Sequence, residues 1–554
     1  MLKFLSVTVL LIASLSSGNA VELPAVAIAS AHPKATEAGH QIIKEGGNAF
    51  DAAIAISASL AVVEPYSSGL GGGSFWLLHR EKDNFQIMID ARETAPKQAH
   101  RDMYLNKEGD VIHGLSMNGP LSAGIPGTPA ALVHLAKKYG QLPLSKSLQP
   151  AIKQARDGFK VTKHYQLMAK FRLEELRASP GAAAVFLHNN EVPELGYLIK
   201  QPDLADTLER IANQGNDGFY RGELANKMVT GVRKSGGIWS LDDLSDYTIV
   251  ERRPVRGNYR GITVTTAAPP SSGGIALITM LNILSGFDLK NVDSATRKHL
   301  VVEAMRRAYR DRAVYLGDPD FVKIPEIKLT HPFYAEGLRA TINPAHATPS
   351  DLLPGIETPP KAQDTTHFSV IDRQGNRVAA TLTVNYPFGS GFMVPETGVL
   401  LNDEMDDFSA KPGTPNAYGL VGAEANAIQP GKRPLSSMSP TFLEDERGVL
   451  ALGTPGGSRI ITMVLLGILE YAKGGDPQSI VSLPRFHHQF LPDQIQYEEG
   501  ALTEAEIASL EERGHSLQLI NRRYGNMQAV MWDKRANEVS AASDPRGEGL
   551  ATVK

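Results

Sequence analysis

Residues 364–385 read DTTHFSVIDRQGNRVAATLTVN, and this stretch decides the fold. His367–Asp372 alternate in character, Arg373–Asn376 carry turn chemistry, and Arg377–Val384 alternate again. That pattern predicts a two-strand β-unit. The segment just upstream, 345–363, has little periodicity, and Pro344, Pro349, Pro354, Pro359 and Pro360 fall in or beside it. Such composition predicts a loose, accessible linker. The linker ends at Asp364, and a strand is expected to begin at Thr365.

Two readings of Thr365 are open from this local pattern. Threonine is favoured in strands, so Thr365-Thr366 can simply start one. Alternatively, Thr365 is a nucleophile. A threonine hydroxyl attacks poorly unless a base takes its proton. If the chain is cut after Asp364, the freed α-amine of Thr365 can be that base. An α-amine titrates near 7.7–8.0, well below lysine at about 10.4, so much of it is neutral at working pH. A strand would also hold the new terminus rigidly.

Working outward, Lys34–Lys44 and Asp51–Val63 are predicted helices, the second apolar almost all round and so buried between layers. Glu64-Pro65 ends it, and the loop Ser67–Ser74 (SSGLGGGS) leads into predicted strands Phe75–Leu78 and Phe85–Asp90. Residues 130–320 read as mostly helical, with helices near Ala130–Tyr139, Leu148–Arg156 and Ser294–Tyr315. Downstream, Val449–Leu452 is a predicted strand, Gly453–Gly457 a glycine loop and Ser458–Ala472 a helix. No internal repeat or low-complexity segment is visible.

The 554 residues exceed the usual single-domain range, which allows two or three units. Net charge is −4 with no basic block, so nucleic acid is not an expected partner. The start, MLKFLSVTVLLIASLSSGNA, places Lys3 before an apolar run and then small residues. This reads as a secretory signal over residues 1–20, cleaved after Ala20, with a retained anchor as the other option. The apolar run falls short of the about 20 residues that span a bilayer, which favours a soluble periplasmic or secreted protein. Cysteine is absent, which excludes disulfides, thiolate catalysis and Cys-ligated zinc.

Several familiar motifs fail. The loop SSGLGGGS follows a helix and lacks the G-x-G-x-x-G spacing of a dinucleotide site. GTPGGSRI lacks the Gly-Lys-Ser/Thr of a phosphate loop, and no G-x-S-x-G or H-E-x-x-H occurs. Adjacent His487 and His488 would face opposite sides of a strand, a poor metal pair, and read as structural. No metal or other cofactor is expected.

The ordered motifs DTTHFSV, TLTVN, FGSG, GVLLNDEMDDFS, KRPLSSMSPT and GTPGGSRI together resemble the γ-glutamyltransferase (glutathione hydrolase) family of N-terminal-nucleophile hydrolases. VEPYSSGLGGGSFWL, ARETAP and GIPGTPAAL extend the resemblance upstream, and PRFHHQ and ASDPR extend it downstream. The resemblance implies an α/β fold, a four-layer α/β/β/α sandwich. It implies cleavage between Asp364 and Thr365 into a large subunit, 21–364, and a small subunit, 365–554, forming one globule. It also implies that Thr365 is the nucleophile, that the Thr383 hydroxyl hydrogen-bonds and tunes it, and that Gly456 and Gly457 N–H groups form the oxyanion hole. Those glycines sit between a predicted strand and helix, where amides are unpaired and the helix dipole favours negative charge.

The same resemblance gives Arg92 the substrate α-carboxylate, with Ser436 and Ser437 adding hydrogen bonds, and places Asn385, Glu404 and Asp407 around the α-ammonium. Taken alone, Arg92 could be a surface ion pair and the two acids a solvated loop. Glu404 stands where some bacterial relatives have glutamine, and either side chain can accept from an ammonium. Pro412–Ile428 resembles a lid loop with Tyr418 as its gating residue, and Tyr386-Pro387 departs from the small polar residues common there, which bears on acceptor contacts. The expected reaction passes a γ-glutamyl group from glutathione or another γ-glutamyl compound, through Thr365, to water or to an amino-acid or peptide acceptor. A glutaryl (cephalosporin-type) acylase would share Thr365 and the glycines but would have less need of Glu404 and Asp407. A γ-glutamyl-peptide-binding protein that never matures is the reading from another class.

Overall fold

In a computed structural model, the structure describes residues 22–353, 365–414, 416 and 419–554. The expected segment 1–20, Asp364, Tyr418 and most of the Pro-rich linker lie outside the described residues.

Two antiparallel sheets carry the architecture. The first has seven strands in the order Leu550–Val553, Ala27–Ser30, Thr366–Ile371, Arg377–Thr383, Gly73–Arg80, Phe85–Ala91 and Val250–Arg252. The second has six, in the order Glu538–Ser543, Gln528–Asp533, Gly448–Gly453, Thr441–Glu444, Ile262–Thr266 and Val255–Tyr259. The sheets pack face to face. Helices Pro33–Lys44, Ala49–Val63 and Leu144–Asp157 lie on the first sheet's side, and Gly273–Ser285, Ser294–Tyr315 and Ile460–Tyr471 on the second's. This is the expected four-layer α/β/β/α sandwich. Both sheets mix strands from either side of position 365, so that position does not divide the fold into lobes.

The central hairpin is buried on both faces, and its period of two sorts the side chains. Phe368 and Val370 face the helices alongside Trp76 and Leu78, with the Phe368 and Trp76 rings edge to face at 5.6 Å. His367, Ser369 and Thr381 occupy the other face, where His367 Nδ1 lies 2.8 Å from Thr381 Oγ1. Burial lowers the His367 pKa to about 3, which keeps the imidazole neutral between the sheets. The strand starts at Thr366 rather than Thr365, so the threonine precedes the ladder.

The helix Ala49–Val63 is buried at every position, as its all-round apolar sequence requires. It starts two residues earlier than expected because Asn48 caps it, forming a capping box with Asp51. Asp372 Oδ2, at the hairpin turn, accepts from Ala49 N at 2.9 Å and ties the helix to the hairpin. Five strands interrupt the stretch read as mostly helical: the short pair Phe159–Lys160 and Leu198–Ile199, then Val250–Arg252, Val255–Tyr259 and Ile262–Thr266. The last two join through Arg260-Gly261, both at positive φ, the geometry of a two-residue hairpin turn. The expected helix Ser458–Ala472 is instead a short 3-10 turn, Gly457–Arg459, followed by Ile460–Tyr471. The start of the expected loose linker is anchored: Ser350 is buried, its N–H donating to Asp493 Oδ2 at 2.7 Å and its hydroxyl to Phe490 O at 2.7 Å. Among the described residues no helix is long and apolar enough to cross a membrane.

This packing sets an order of stabilities. Ile54→Ala, at a fully buried site of the Ala49–Val63 helix, should cost about 2–5 kcal/mol through lost burial and a residual cavity. Asn48→Ala removes the cap, worth about 0.5–2 kcal/mol, together with the Nδ2 hydrogen bond to Tyr139 O, and leaves no comparable apolar cavity, so it should cost less. Chemical-denaturation midpoints of the two variants would rank them, and the reverse order would contradict this account.

Candidate active site

Thr365 sits at the mouth of the central hairpin. The register Leu382↔Thr366 and Thr381↔His367 places Thr383 across from Thr365. Both threonines line one small pocket with Arg92, Asn385, Ser437 and Gly457. The space left in it is about 20 Å3, room for roughly one water.

The glycine run of the upstream loop explains how the walls come so close. A Cβ on Gly71 would lie 2.0 Å from Leu400 O, and one on Gly72 would lie 2.0 Å from Thr383 O. A Cβ on Gly73 would lie 2.2 Å from Glu93 Oε2. Only glycines let this loop press against the Thr383 strand and an acidic side chain together. Asn402 then stitches three segments: its Nδ2 donates to Gly71 O at 2.7 Å and Gly124 O at 2.8 Å, while its Oδ1 accepts from Glu404 N at 2.9 Å. Asn385 is at φ 76° and donates through Nδ2 to Asp403 O at 3.0 Å; its N–H donates to Thr383 Oγ1 at 2.7 Å.

Arg92 is fully buried at the end of strand Phe85–Ala91. Its Nη1 lies 2.6 Å from Glu404 Oε2 and 3.4 Å from Glu93 Oε2, and its Nη2 donates to Asp407. The two acids expected around a substrate ammonium therefore pair with the arginine here. Among the described residues neither Glu404 oxygen has an aligned hydrogen-bond donor, so the close approach to Arg92 is a charge contact. Burial pushes the Glu404 carboxyl well above the usual range, and Arg92 pulls it back. Burial raises Asp403 and Glu93 in the same way, against Arg172 and Arg92 respectively. Burial works against the Arg92 charge, yet Glu404, Asp407 and Glu93 together raise its pKa.

On the opposite wall, Ser436 and Ser437 follow a parallel bridge from Ser271 to Ser436. Behind them lies Arg312, buried and lining the pocket, with Nε donating to Ser272 Oγ at 2.9 Å and Nη2 to Ser437 Oγ at 3.5 Å. No carboxylate pairs with it among the described residues, and burial lowers its pKa to about 10. Gly456 and Gly457 have φ 140° and 52°, backbone that favours glycine, and their N–H groups have no acceptor among the described residues. Arg92, Thr383, Asn385, Asp407, Ser436, Ser437 and Gly457 thus line one pocket with Thr365, and Gly456 borders Thr365 on its other side, whereas Glu404 does not line that pocket and meets it through Arg92.

Sequence reasoning missed Glu93, Asn402, Asp403 and Arg312. Glu93, Asn402 and Asp403 fall inside the quoted motifs beside residues that were chosen. Arg312 carries no such signal, because a lone arginine in the helix Ser294–Tyr315 reads as surface charge. His487 and His488 are buried with both rings hydrogen-bonded, as structural residues should be. One cluster of metal-type side chains occurs among the described residues, His299, Glu303 and His515. There Glu303 is already held by Arg306 and Arg307, whose charges oppose a cation.

A threonine at the entry to a central strand, facing bare glycine amides inside a four-layer sandwich, defines an N-terminal-nucleophile hydrolase architecture. A sequence profile of the gamma-glutamyltranspeptidase family matches residues 35–553. The glutathione hydrolase proenzyme of Escherichia coli (strain K12) is 44% identical over 525 residues, covering 94% of this chain and 90% of its own. The glutathione hydrolase proenzyme of Pseudomonas aeruginosa is 42% identical, covering 100% and 98%. Among solved structures, a cephalosporin acylase from Bacillus halodurans superposes with a TM-score of 0.85 at 28% identity, covering 96% of both chains. Helicobacter pylori gamma-glutamyltranspeptidase superposes with a TM-score of 0.58 at 40% identity, covering 59% of this chain and 94% of that one. The chain belongs to the gamma-glutamyltranspeptidase family.

The charge cluster makes a stability prediction. Arg92→Met leaves Glu404 and Glu93 buried without their counter-charge and should destabilise the protein by about 3–5 kcal/mol. Adding Glu404→Leu should recover part of that loss. Denaturation midpoints test this; a double variant no more stable than the single would contradict the pairing.

Proposed function

We propose that the protein is a self-processing γ-glutamyltransferase and glutathione hydrolase. The observation that carries this reading is the charge pattern beside Thr365. A γ-glutamyl group ends in an α-carboxylate and an α-ammonium, and the pocket offers the Arg92 guanidinium and the Asp407 carboxylate side by side, with Glu404 against Arg92 behind them. Arg92 takes the carboxylate on its planar fork, with Ser436 and Ser437 beside it and Arg312 behind. Glu404, Asp407 and Asn385 take the ammonium. When substrate enters, its carboxylate replaces Asp407 on Arg92, and its ammonium supplies the donors that Glu404 lacks.

Maturation and turnover use the same groups. Thr365 Oγ attacks the carbonyl carbon of Asp364, the peptide C–N bond breaks to give an ester and free the α-amine of Thr365, and water then cleaves the ester to leave the Asp364 carboxylate and the Thr365 hydroxyl. In turnover that amine takes the hydroxyl proton as Oγ attacks the γ-carbonyl, and the N–H groups of Gly456 and Gly457 hold the oxyanion. Thr383 tunes the hydroxyl. The proton passes to the departing amine, and water or an acceptor amine then releases the γ-glutamyl group from Thr365. Relatives named as proenzymes support the self-cleavage, and the family resemblance makes Tyr418 the proposed gating residue. Export to the periplasm or beyond, directed by residues 1–20, belongs to the same reading.

The acylase reading has one observation in its favour, the close superposition on a cephalosporin acylase. That enzyme class takes donors without the amine, and the buried acidic set here would then have no cation but Arg92 to face.

Two outcomes test the proposal. Purified protein should become two associated chains without added protease, the smaller beginning Thr-Thr-His-Phe, whereas Thr365→Ala should stay whole; a variant still split at 364/365 would refute the mechanism. Wild type should prefer γ-glutamyl over glutaryl donors, which differ only in the amine. Asp407→Asn should lose about 1.5–3 kcal/mol of transition-state binding on γ-glutamyl donors and narrow that preference, with Glu404→Gln losing less. Values of kcat/KM for both donors decide it, and a wild-type preference for glutaryl would favour the acylase.

A further inference from the structure

The helix Ser294–Tyr315 ends against three parts of the site at once. Tyr309 donates through its hydroxyl to Ser458 O, in the turn Gly457–Arg459. Ala313 O accepts from Ala423 N at 3.0 Å, within the segment that resembles a lid loop. Between these two contacts in sequence, Arg312 enters the wall of the Thr365 pocket, where it is 4% exposed. An arginine this deep ordinarily meets a carboxylate, because an isolated buried charge is costly. Arg312 meets hydroxyls instead: Nε donates to Ser272 Oγ at 2.9 Å and Nη2 to Ser437 Oγ at 3.5 Å.

The direction of those bonds decides where the serine protons go. A guanidinium has donors only, so each hydroxyl oxygen that meets it must accept. Ser272 passes its own proton to Ser436 O at 2.7 Å, and both of its roles are then used. Ser437 differs. Its oxygen accepts from Arg312, its proton has no acceptor among the described residues, and its side chain lines the pocket. Ser437 is thereby left as an O–H donor to whatever anion the pocket takes. Charge acts in the same sense. Arg92 is outnumbered by Glu93, Glu404 and Asp407, so it offers an incoming carboxylate little net positive charge. Arg312 supplies a second cation across the pocket, and burial leaves it poorly screened.

We propose that Arg312 is a positioning residue of the donor site: acting through the Ser437 hydroxyl, it makes the pocket select a charged α-carboxylate over the same group as a neutral amide. The inference rests on the γ-glutamyl reading and names the group on which the Ser437 contact depends. A purely structural arginine would only hold Ser272 against Ser436 O, and its loss would be blind to the charge of the donor.

The test compares γ-glutamyl-p-nitroanilide with the same compound carrying its α-carboxylate as a primary amide. In Arg312→Gln, KM for the carboxylate donor should rise about tenfold with a smaller change in kcat, because the contact exists in ground and transition states alike. The amide donor should lose less than about twofold in kcat/KM. Ser437→Ala should show the same pattern, and adding Arg312→Gln to it should cost no more than about a further twofold, since the two residues act as one unit. Arg312→Lys keeps the charge without the planar fork and should recover part of the loss. It is also the variant to read if Arg312→Gln does not cut itself into two chains. Equal losses on both donors would overturn the proposal in favour of a structural role. So would full additivity of Arg312→Gln and Ser437→Ala, or a carboxylate preference left intact in Arg312→Gln. A wild type that turns over neither donor would bring down the γ-glutamyl reading itself, and this inference with it.

Discussion

One backbone register governs the site: Thr366 opposite Leu382, in a strand pair buried on both faces. A slip by one residue would exchange the two faces of the strand. His367 and Ser369 would enter the apolar layer against Trp76, and Phe368 would displace the imidazole held by Thr381. Burying polar groups without partners costs roughly 1–3 kcal/mol each in proteins, so the register has no close competitor. Gly453 reinforces it from the second sheet, because a Cβ there would lie 2.3 Å from the His367 ring. With the register fixed, Thr383 and the Gly71–Gly73 run take their places around Thr365 without further adjustment.

Against that rigid frame stands a group of buried charges that does not balance. Arg92 alone faces Glu93, Glu404 and Asp407, and Asp403 lies close by with Arg172 as its main opposing charge. Across the pocket Arg312 has the reverse problem, a buried cation whose hydrogen bonds among the described residues go to hydroxyls, with the Asp407 charge acting on it from a distance. Unpaired buried charge destabilises a fold, and burial drives such carboxyls toward their neutral forms. Under the proposed assignment a zwitterionic ligand would relieve both imbalances together, its cation meeting the acids and its anion the guanidiniums. The site's electrostatic strain and its selectivity thus have one origin.

The sequence made the hairpin, the buried helix Ala49–Val63 and the helix Ser294–Tyr315 legible, because each has a strong and uninterrupted period. The strands at 250–266 were hidden by length: three to five residues cannot display a period, and Arg260-Gly261 is an unusual turn pair. At the site, motifs placed Arg92, Glu404 and Asp407 together but not their mutual pairing. That pairing depends on Gly73 admitting Glu93 and on Asn402 fixing Glu404, both contacts between segments distant in sequence. The linker's first residues looked loose because prolines dominate them, while the hydrogen bonds that anchor Ser350 come from Phe490 and Asp493.

The same frame also explains why fold similarity alone cannot assign a substrate. The sandwich, the strand-entry threonine and the glycine turn would serve any acyl group, and a cephalosporin acylase superposes on nearly the whole chain. What differs between donors is a single ammonium. In the proposed assignment recognition of that ammonium falls to side chains on the turn Glu404–Asp407, which the sheets support without specifying. Under the proposed assignment a glutaryl donor would leave Arg92 with three acids to hold, whereas a γ-glutamyl donor would bring its ammonium to them. Selection between the two donors would then rest on how the buried carboxylates are satisfied rather than on the shape of a pocket that the sandwich already provides.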